Sequence, residues 1–97
     1  MEQGKRRPLS GKIILITGAS RGIGAAAAKR LAQGGAAVVI NYLNSRERAA
    51  EVLQTVENEG AGGMIFQADV TDRKQVDRMA QAVKENFGAV DVLINNA

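Results

Sequence analysis

The segment TGASRGIG, residues 17–24, places Gly18, Gly22 and Gly24 between an apolar run and a run of alanines. A turn from a strand into a helix needs a residue that adopts positive φ, a backbone that a ligand can approach, and a helix start that packs tightly on the strand. Glycine meets each of these needs. The first turn of the following helix offers unpaired N–H groups and the positive end of its dipole, which suit a pyrophosphate. The segment therefore predicts a phosphate-binding loop.

Two other phosphate-binding patterns fit this glycine loop less well. A P-loop requires G-x-x-x-x-G-K-[ST], and because no lysine follows these glycines, a kinase or ATPase is disfavoured. The G-x-G-x-x-[GA] fingerprint can be drawn through Gly22, Gly24 and Ala27, but it begins well after the apolar run ends. The longer pattern G-x-x-x-G-x-G, which starts at Gly18, is the better description and indicates a dinucleotide.

The end of the second apolar run bears on which nucleotide the loop holds. An NAD enzyme places an Asp or Glu here for the ribose 2′-hydroxyl, whereas this chain has Asn41 and Tyr42, followed by Ser45 and Arg46. A carboxylate would repel a 2′-phosphate, and the guanidinium groups of Arg21 and Arg46 can hold one by charge-assisted hydrogen bonds. These residues predict NADP rather than NAD, and the missing acid also disfavours a methyltransferase. The alternative is that both arginines are solvated surface residues.

Asp69 and Val70 follow the third apolar run. The Asp69 carboxylate can accept a hydrogen bond from an adenine amino group while the Val70 backbone meets the ring. The alternative is that Asp69 is only part of an ordinary helix cap, a role that Thr71 or Asp72 can fill equally well. The residues alone leave both interpretations open.

Apolar runs alternate with amphipathic segments along the chain. Short runs rich in β-branched residues predict strands buried on both faces of a parallel sheet, and apolar positions three to four residues apart predict helices. The expected strands are residues 12–17, 37–42, 64–68 and 90–95; the expected helices are residues 23–33, a helix capped by Asn44 or Ser45 and closed by Gly60, and a helix capped by Thr71 or Asp72 and closed by Gly88. This order predicts an α/β fold, a partial Rossmann-type doubly wound parallel sheet.

Right-handed crossovers give this sheet the strand order 3-2-1-4, with the first two helices on one face and the third on the other. The fourth strand then ends the sheet with an open edge and uncovered side chains such as Val92 and Ile94, so we expect the chain to be the first part of a larger fold. The buried helix stripes are expected at Ile23, Ala27 and Leu31 in the first helix, at Ala49, Val52, Leu53 and Val56 in the second, and at Val76, Met79, Ala80, Val83 and Phe87 in the third.

Composition narrows the classes of protein that remain. The 97 residues carry a net charge of +3, which Lys5, Arg6 and Arg7 account for, so no nucleic-acid surface is predicted. No run resembles a signal peptide or a membrane span, and the chain has no cysteine and no histidine, which disfavours disulfides and a zinc site. We expect a cytoplasmic protein with a basic tail over residues 1–8 and a nucleotide-binding half-domain over residues 9–97.

Three motifs in order resemble one family. TGASRGIG, with ADV at residues 68–70 and NNA at residues 95–97, resembles the cofactor half of a short-chain dehydrogenase/reductase, whose motifs are T-G-x-x-x-G-x-G and N-N-A-G. The resemblance covers residues 9–97, and the chain ends before the glycine of N-N-A-G. The segments SRGIG and NYLNSRERA are similar to those of the NADP-dependent 3-oxoacyl-[acyl-carrier-protein] reductases, which function in fatty acid biosynthesis.

The resemblance assigns roles to individual residues. It implies that Asn95 ties neighbouring strands together, and that the full-length protein acts on a small-molecule carbonyl substrate as a homodimer or homotetramer. The implied contacts are Gly18, Ser20, Arg21 and Ile23 to the phosphates and adenosine ribose, residues 41–45 around the 2′-phosphate, Asp69 and Val70 to adenine, and Asn96 and Ala97 beside the ribose.

The catalytic serine, tyrosine and lysine of that family belong to later elements, so this chain is expected to hold NADPH without reducing a carbonyl. Tyr42 followed by Arg46 is a near miss of the Y-x-x-x-K motif, and we reject it because arginine stays protonated and Tyr42 lies on the adenosine side. The prediction is the N-terminal part of an NADP-dependent carbonyl reductase. The alternatives are a stand-alone module that binds a dinucleotide or pairs with another subunit, and a structural chain without a ligand.

Overall fold

The structure, a computed structural model, describes residues 7–20 and 22–96. Strands and helices alternate along these residues, as the periodicity predicts. Their bounds are β1 (Ile13–Thr17), α1 (Gly22–Gln33), β2 (Ala37–Tyr42), α2 (Arg46–Asn58), β3 (Gly63–Gln67), α3 (Arg73–Asn86) and β4 (Val92–Asn95). The first strand and the fourth begin one and two residues later than predicted, and the third is shifted by one residue toward the N-terminus.

The four strands form one parallel sheet in the order β3-β2-β1-β4. Ile14 of β1 is aligned with Val38 of β2 on one side and with Val92 of β4 on the other. The predicted order 3-2-1-4 is confirmed. Because strand order reverses between β1 and β4, the carboxyl ends of these two strands border the crevice where ligands of such sheets bind.

The sheet is covered unequally on its two faces. Alternate residues of β1 point to opposite faces, so Ile14 and Ile16 pack with α1 and α2, while Leu15 packs with Met79 and Val83 of α3. The predicted placement of two helices on one face and one on the other is confirmed. α2 buries its predicted stripe, with Leu53 half-buried.

The predicted stripe of α1 is confirmed in part: Ala27 and Leu31 are half-buried and pack against the core, but Ile23 does not. Ile23 is 80% exposed, and the residues in the core are Gly24, Ala28 and Ala32, four apart. Small residues let the helix backbone lie close to the sheet, which leaves the larger Ile23 at the sheet's carboxyl edge. In α3, Met79 and Val83 are buried as predicted, but Ala80 is exposed.

The edge strand β4 presents apolar side chains, although not the predicted pair. Val92 is 43% and Leu93 61% exposed, whereas Ile94 packs against the core on the α1 face. Ile94 lies on the face with two helices, and Leu93 lies on the face that α3 covers only in part. Among the described residues, no strand pairs with the outer edge of β4.

Arg7 forms hydrogen bonds with the C-terminal ends of two helices, α1 and α2. Its Nη1 atom donates to the carbonyls of Ala32 and Glu59, at 3.3 and 2.9 Å, at the C-terminal ends of α1 and α2. The amide of Leu9 donates to the Gly34 carbonyl at 2.7 Å, and Leu9 packs against the core. The predicted boundary between a tail and a domain stays a prediction, and residues 1–6 lie outside the described residues.

Candidate functional site

The glycine loop and the end of β4 lie side by side at the carboxyl edge of the sheet. The Asn96 side-chain amide donates to the Gly18 carbonyl at 3.1 Å, and the Asn96 backbone N–H donates to the Thr17 hydroxyl at 3.0 Å. The same hydroxyl donates to Asn95 Oδ1 at 2.9 Å. Asn95 thus ties β4 to β1. The Thr17 hydroxyl, for which the sequence predicts no role of its own, joins the ends of β1 and β4.

The three glycines of the loop are required for different reasons. Gly18 and Gly22 both have φ of +63°, a backbone conformation that residues with a Cβ rarely adopt. At Gly24 the constraint is space, because a Cβ there would lie 2.6 Å from Asn96 Nδ2 and 2.9 Å from the Gly18 carbonyl oxygen. The backbone of the loop therefore turns at Gly18 and Gly22. The missing Cβ of Gly24 lets the start of α1 lie close to the ends of β1 and β4.

The first turn of α1 faces the same edge as this loop. Its N–H groups have no partners within the helix, and its dipole puts partial positive charge at Gly22 and Ile23. Ser20 is half-buried beside this turn, and the Ile23 side chain projects from it. The arrangement suits an anionic group. Arg21, predicted to hold a 2′-phosphate, and Ala97, predicted to border a ribose, lie outside the described residues.

The end of β2 is more deeply buried than its predicted role suggests. The Asn41 side chain is 3% exposed and donates to the Phe66 and Ala68 carbonyls at 3.4 and 3.1 Å. Its backbone carbonyl accepts from the Ala19 N–H at 3.3 Å. Asn41 therefore holds the glycine loop and β3 in place, and its amide donors are not directed at a ligand.

Tyr42 and Arg46 form a local pair at the start of α2. The Tyr42 ring is in the core, 5% exposed, and its hydroxyl accepts from Arg46 Nη1 at 3.2 Å. The burial of the Tyr42 ring supports the rejection of the pair as a Y-x-x-x-K motif, because a hydroxyl held in the core is not free to reach a substrate carbonyl. Ser45 occupies the cap position of α2, one of the two predicted caps, but its side chain makes no cap hydrogen bond.

Asp69 lies at the start of the loop from β3 to α3 and does not cap the helix. Its Oδ1 accepts from the Thr71 hydroxyl at 2.6 Å and from the Thr71 N–H at 2.9 Å, and these bonds lower the pKa of the carboxyl. The cap is Asp72, which accepts from the Lys74 N–H at 2.9 Å. Val70 is 38% exposed beside Asp69. The adenine contact stays a prediction, with the competing cap role assigned to Asp72.

Two hollows adjoin the site. A cleft of about 500 Å³ between α1 and α2 is lined by Ser20 and Gly22 of the loop and by residues of both helices. An apolar hollow of about 250 Å³ on the α3 face lies under Thr17, Asn95 and Val70. Within residues 7–20 and 22–96, no cluster of acidic, histidine or cysteine side chains is arranged to hold a metal ion. None of the helices described is long and apolar enough to cross a membrane.

Comparison with known protein families and curated relatives gives consistent matches. The profile of the short chain dehydrogenase family matches residues 12–97. Versicolorin reductase stcU of Emericella nidulans is 46% identical over 89 residues, which is 92% of this chain and 34% of that protein. The 3-oxoacyl-[acyl-carrier-protein] reductase FabG of Staphylococcus aureus is 43% identical over 86 residues, 89% of this chain and 35% of that protein. The chain thus spans about a third of the length of these relatives.

Solved structures agree with the fold. A short chain dehydrogenase from Burkholderia cenocepacia in complex with NADP matches with a TM-score of 0.87 and 49% identity over 93% of this chain and 37% of that one. An NAD⁺-bound xylitol dehydrogenase also has a TM-score of 0.87, at 36% identity over 92% of this chain and 34% of that one. The similar folds therefore include proteins bound to either nucleotide.

Proposed function

We propose a function for this chain from one premise: it belongs to the short-chain dehydrogenase family. In this proposal it is the N-terminal, cofactor-binding part of an NADP-dependent oxidoreductase that reduces a carbonyl group by hydride transfer. Because the chain spans about a third of its relatives' length, 34% for the first of them, the activity of the whole protein is part of the proposal.

The observation that carries the proposal is the junction of the glycine loop with the end of β4. Asn96 donates to the Gly18 carbonyl, and the Thr17 hydroxyl bonds to both Asn95 and Asn96. These bonds place a turn with positive φ, a helix N-terminus and the last residues of β4 around one crevice, which is the arrangement that binds an extended dinucleotide.

NADP is the nucleotide that we propose. No carboxylate stands at the end of β2 to accept from a ribose 2′-hydroxyl, and Asn41 and Tyr42, which replace it, are buried. The 49% identical Burkholderia protein was solved with NADP, which favours the same choice, whereas the NAD⁺-bound xylitol dehydrogenase is more distant at 36% identity. When bound, NADPH supplies a hydride to a carbonyl carbon.

The residues of this chain would bind and orient the cofactor. Gly18, Ser20 and the first turn of α1 bind the pyrophosphate, Asp69 and Val70 border the adenine, and Asn96 lies beside the ribose. The single tyrosine of the sequence, Tyr42, is buried and accepts a hydrogen bond from Arg46, which supports assigning proton transfer to residues outside this chain. In this proposal the chain alone binds NADPH and does not turn over.

Two substrate classes are supported to a similar degree. A 3-oxoacyl thioester follows from the 43% identity to FabG, and with it a place in fatty acid synthesis. A substrate related to versicolorin follows from the 46% identity to versicolorin reductase. The cytoplasmic location and the homo-oligomeric state stay predictions. A stand-alone module that binds a dinucleotide or pairs with another subunit remains the second function, supported by the glycine loop and the end of β4 lying side by side.

Turnover tests this proposal. NADPH oxidation would be followed at 340 nm with a 3-oxoacyl thioester and with a versicolorin, for the 97-residue chain and for the product of the gene that encodes it. We expect turnover from a gene product that continues into a serine and a Y-x-x-x-K motif, and none from the 97-residue chain. Carbonyl reduction by the 97-residue chain would contradict the assignment of catalysis to later elements.

A further inference from the structure

The outer edge of β4 presents backbone groups that no strand takes up within the described part of the chain, where the sheet ends at β4. The Asn96 N–H points inward, because it donates to the Thr17 hydroxyl of β1 at 3.0 Å. Backbone groups of successive residues point to alternate sides of a strand. The N–H and C=O groups of Leu93 and Asn95 therefore point outward, and such groups pair readily with another strand.

β4 also lacks the features that usually protect a strand edge. Its four residues, Val92–Asn95, include no charged residue and no proline. Leu93 is 61% exposed on the face that α3 covers only in part, and with Leu15 and Met79 it borders the apolar hollow of about 250 Å³. The edge thus combines hydrogen-bonding groups with an apolar contact surface.

The sequence of β4 is complementary to itself in one antiparallel register. Registers that join the outward backbone groups of two β4 strands place the two-fold axis at Val92, Leu93 or Ile94. An axis at Val92 sets Asp91 opposite Leu93 of the second copy, and an axis at Ile94 sets Leu93 opposite Asn95. Both of these registers put a leucine against a polar side chain. An axis at Leu93 sets leucine against leucine and valine against isoleucine, so the apolar residues of β4 match one another.

The polar residues at the two ends of β4 match in the same register. The Asp91 carboxylate accepts from the Ile13 N–H at 2.8 Å. Asn95 Oδ1 accepts from the Thr17 hydroxyl at 2.9 Å, so β1 holds both exposed side chains in place. With the axis at Leu93, the Asp91 carboxylate of each copy lies opposite the Asn95 amide of the other, and no two carboxylates are opposite each other. A charged acceptor strengthens such a contact.

We propose that the 97-residue chain forms a symmetric dimer in which β4 pairs antiparallel with β4 of a second copy and Leu93 lies at the two-fold axis. The backbones of the two Leu93 residues then exchange hydrogen bonds, and their side chains lie side by side over the hollow on the α3 face. Both sheets join into one, with the nucleotide crevices at opposite edges, because the two β4 strands run in opposite directions. This inference goes beyond the proposed function and does not require a bound nucleotide.

Cysteine cross-linking tests the position of the axis, since the chain has no cysteine of its own. Leu93→Cys, Val92→Cys and Ile94→Cys each report one register. A residue on the axis faces its own copy at a distance that suits a disulfide, whereas a residue one position away lies about 7–8 Å from its copy, which is too far. After mild oxidation, the cross-linked fraction on a non-reducing gel should be about fivefold or more higher for Leu93→Cys than for the other two. Leu43→Cys, at an exposed leucine outside β4, measures cross-linking by random collision.

Exchanging the end residues tests the polar match. Asn95→Asp sets two carboxylates opposite each other at each end, so it should raise the Kd of the dimer by about fivefold or more. The double variant Asp91→Asn with Asn95→Asp again sets a carboxylate opposite an amide, and its Kd should lie within about twofold of the wild-type value. A damaged fold would not be rescued by a second substitution. Sedimentation velocity over a range of concentrations gives the Kd, and circular dichroism melts establish that each variant is folded.

The outcomes are distinguishable. A wild-type chain that stays monomeric over the whole concentration range would overturn the inference. So would cross-linking of Val92→Cys or Ile94→Cys at the level of Leu93→Cys, or a double variant that dimerises as weakly as Asn95→Asp. Selective cross-linking at residue 93 together with rescue by the double variant supports the inference. None of these results bears on the proposed function, which nucleotide titration of the same chain tests separately.

Discussion

At the scale of single residues, Thr17 and Gly24 determine how closely the glycine loop and the end of β4 approach each other. Thr17 is buried, with 5% of its surface exposed. Its hydroxyl donates to Asn95 Oδ1 and accepts from the Asn96 backbone N–H. Gly24 admits the Asn96 amide to within 2.6 Å of where a Cβ would stand. Neither contact can be read from the sequence, because each joins residues more than 70 positions apart. The motif predicts which residues bind, and only the fold shows what holds them.

Gly24→Ala tests the space at the start of α1. The added methyl would press on Asn96 and on the backbone of Gly18 and Ala19, so we expect a loss of about 1–3 kcal/mol in the free energy of unfolding. We also expect weaker nucleotide binding, because Asn96 must move. Gly62→Ala is the control, since its methyl would meet only the edge of the Phe87 ring at 3.2 Å. Equal stabilities of the two variants in urea titrations would refute the role assigned to Gly24.

Ile23 and Arg46 show what residue-level pattern reading misses. Ile23 fits a helical stripe by spacing, but it lies in the first turn, beyond the part of α1 that covers the sheet, and is 80% exposed. Arg46 is nearest in sequence to the end of β2, yet its guanidinium is directed to Tyr42. Spacing gives the angle of a side chain around its helix. It does not say where the neighbouring element ends or which polar group lies within reach.

At the scale of elements, the C-terminal ends of α1 and α2 share one cation. Arg7 Nη1 donates to a carbonyl of each, and the partial negative charge at helix C-termini favours a guanidinium there. The sequence suggested a solvated basic tail for residues 1–8, because charge and position in the chain do not reveal a contact with Glu59, 52 residues away.

Arg7→Met should therefore destabilise the fold, because it keeps most of the aliphatic side chain but removes the guanidinium. We expect a loss of about 1–2 kcal/mol, since two carbonyls lose a charged donor. Chemical denaturation measures it, with Arg78→Met on α3 as the matched exposed arginine. A change in Arg78→Met as large as that in Arg7→Met would show that the effect comes from lost charge in general.

The start of α3 gives the chain an acid-sensitive element. Hydrogen bonds from Gln75 and the Lys74 backbone lower the pKa of Asp72, and those from Thr71 lower the pKa of Asp69, both below the ordinary value of 3.8. Because the folded pKa lies below the unfolded one, the stabilisation is complete above 3.8 and is lost as pH falls through the folded pKa.

We therefore expect the melting temperature of the chain to fall between about pH 5 and about pH 2, and to fall less in Asp72→Asn, which keeps an oxygen for the cap but has no charge to lose. Asp72→Ala should lower the melting temperature at neutral pH as well, because the Lys74 N–H loses its acceptor. Calorimetric melts across this range provide the comparison. An acid dependence in Asp72→Asn identical to that of the wild type would contradict the cap assignment.

At the scale of the whole molecule, two helices cover one face of the sheet and a single helix covers part of the other. The element order, the parallel sheet and the strand order 3-2-1-4 all follow from the sequence, because short β-branched runs alternating with amphipathic helices admit few right-handed arrangements. The exposed residues of the edge strand do not follow from it so directly. Which side chains of β4 remain uncovered depends on how much of the second face α3 spans.

The exposed apolar side chains of the edge strand β4 predict self-association. Val92 and Leu93 present apolar surface on an edge strand, so the isolated chain should associate as its concentration rises. Leu93→Thr should reduce this association, because it removes apolar surface while placing a β-branched residue that suits a strand. Sedimentation velocity measures it, with Leu43→Thr, which replaces a leucine 50% exposed outside β4, as the control. Association that persists in Leu93→Thr and disappears in Leu43→Thr would place the contact surface elsewhere.

We propose that the crevice between the glycine loop and the end of β4 holds NADP. The most direct test of this proposal is calorimetric titration of the 97-residue chain with NADPH and with NADH under identical ionic conditions. We expect one binding site per chain. The affinity for NADPH should exceed that for NADH by about tenfold or more if a single arginine recognises the 2′-phosphate. Equal affinity for the two nucleotides, or no heat of binding with either in a chain shown to be folded, would contradict it.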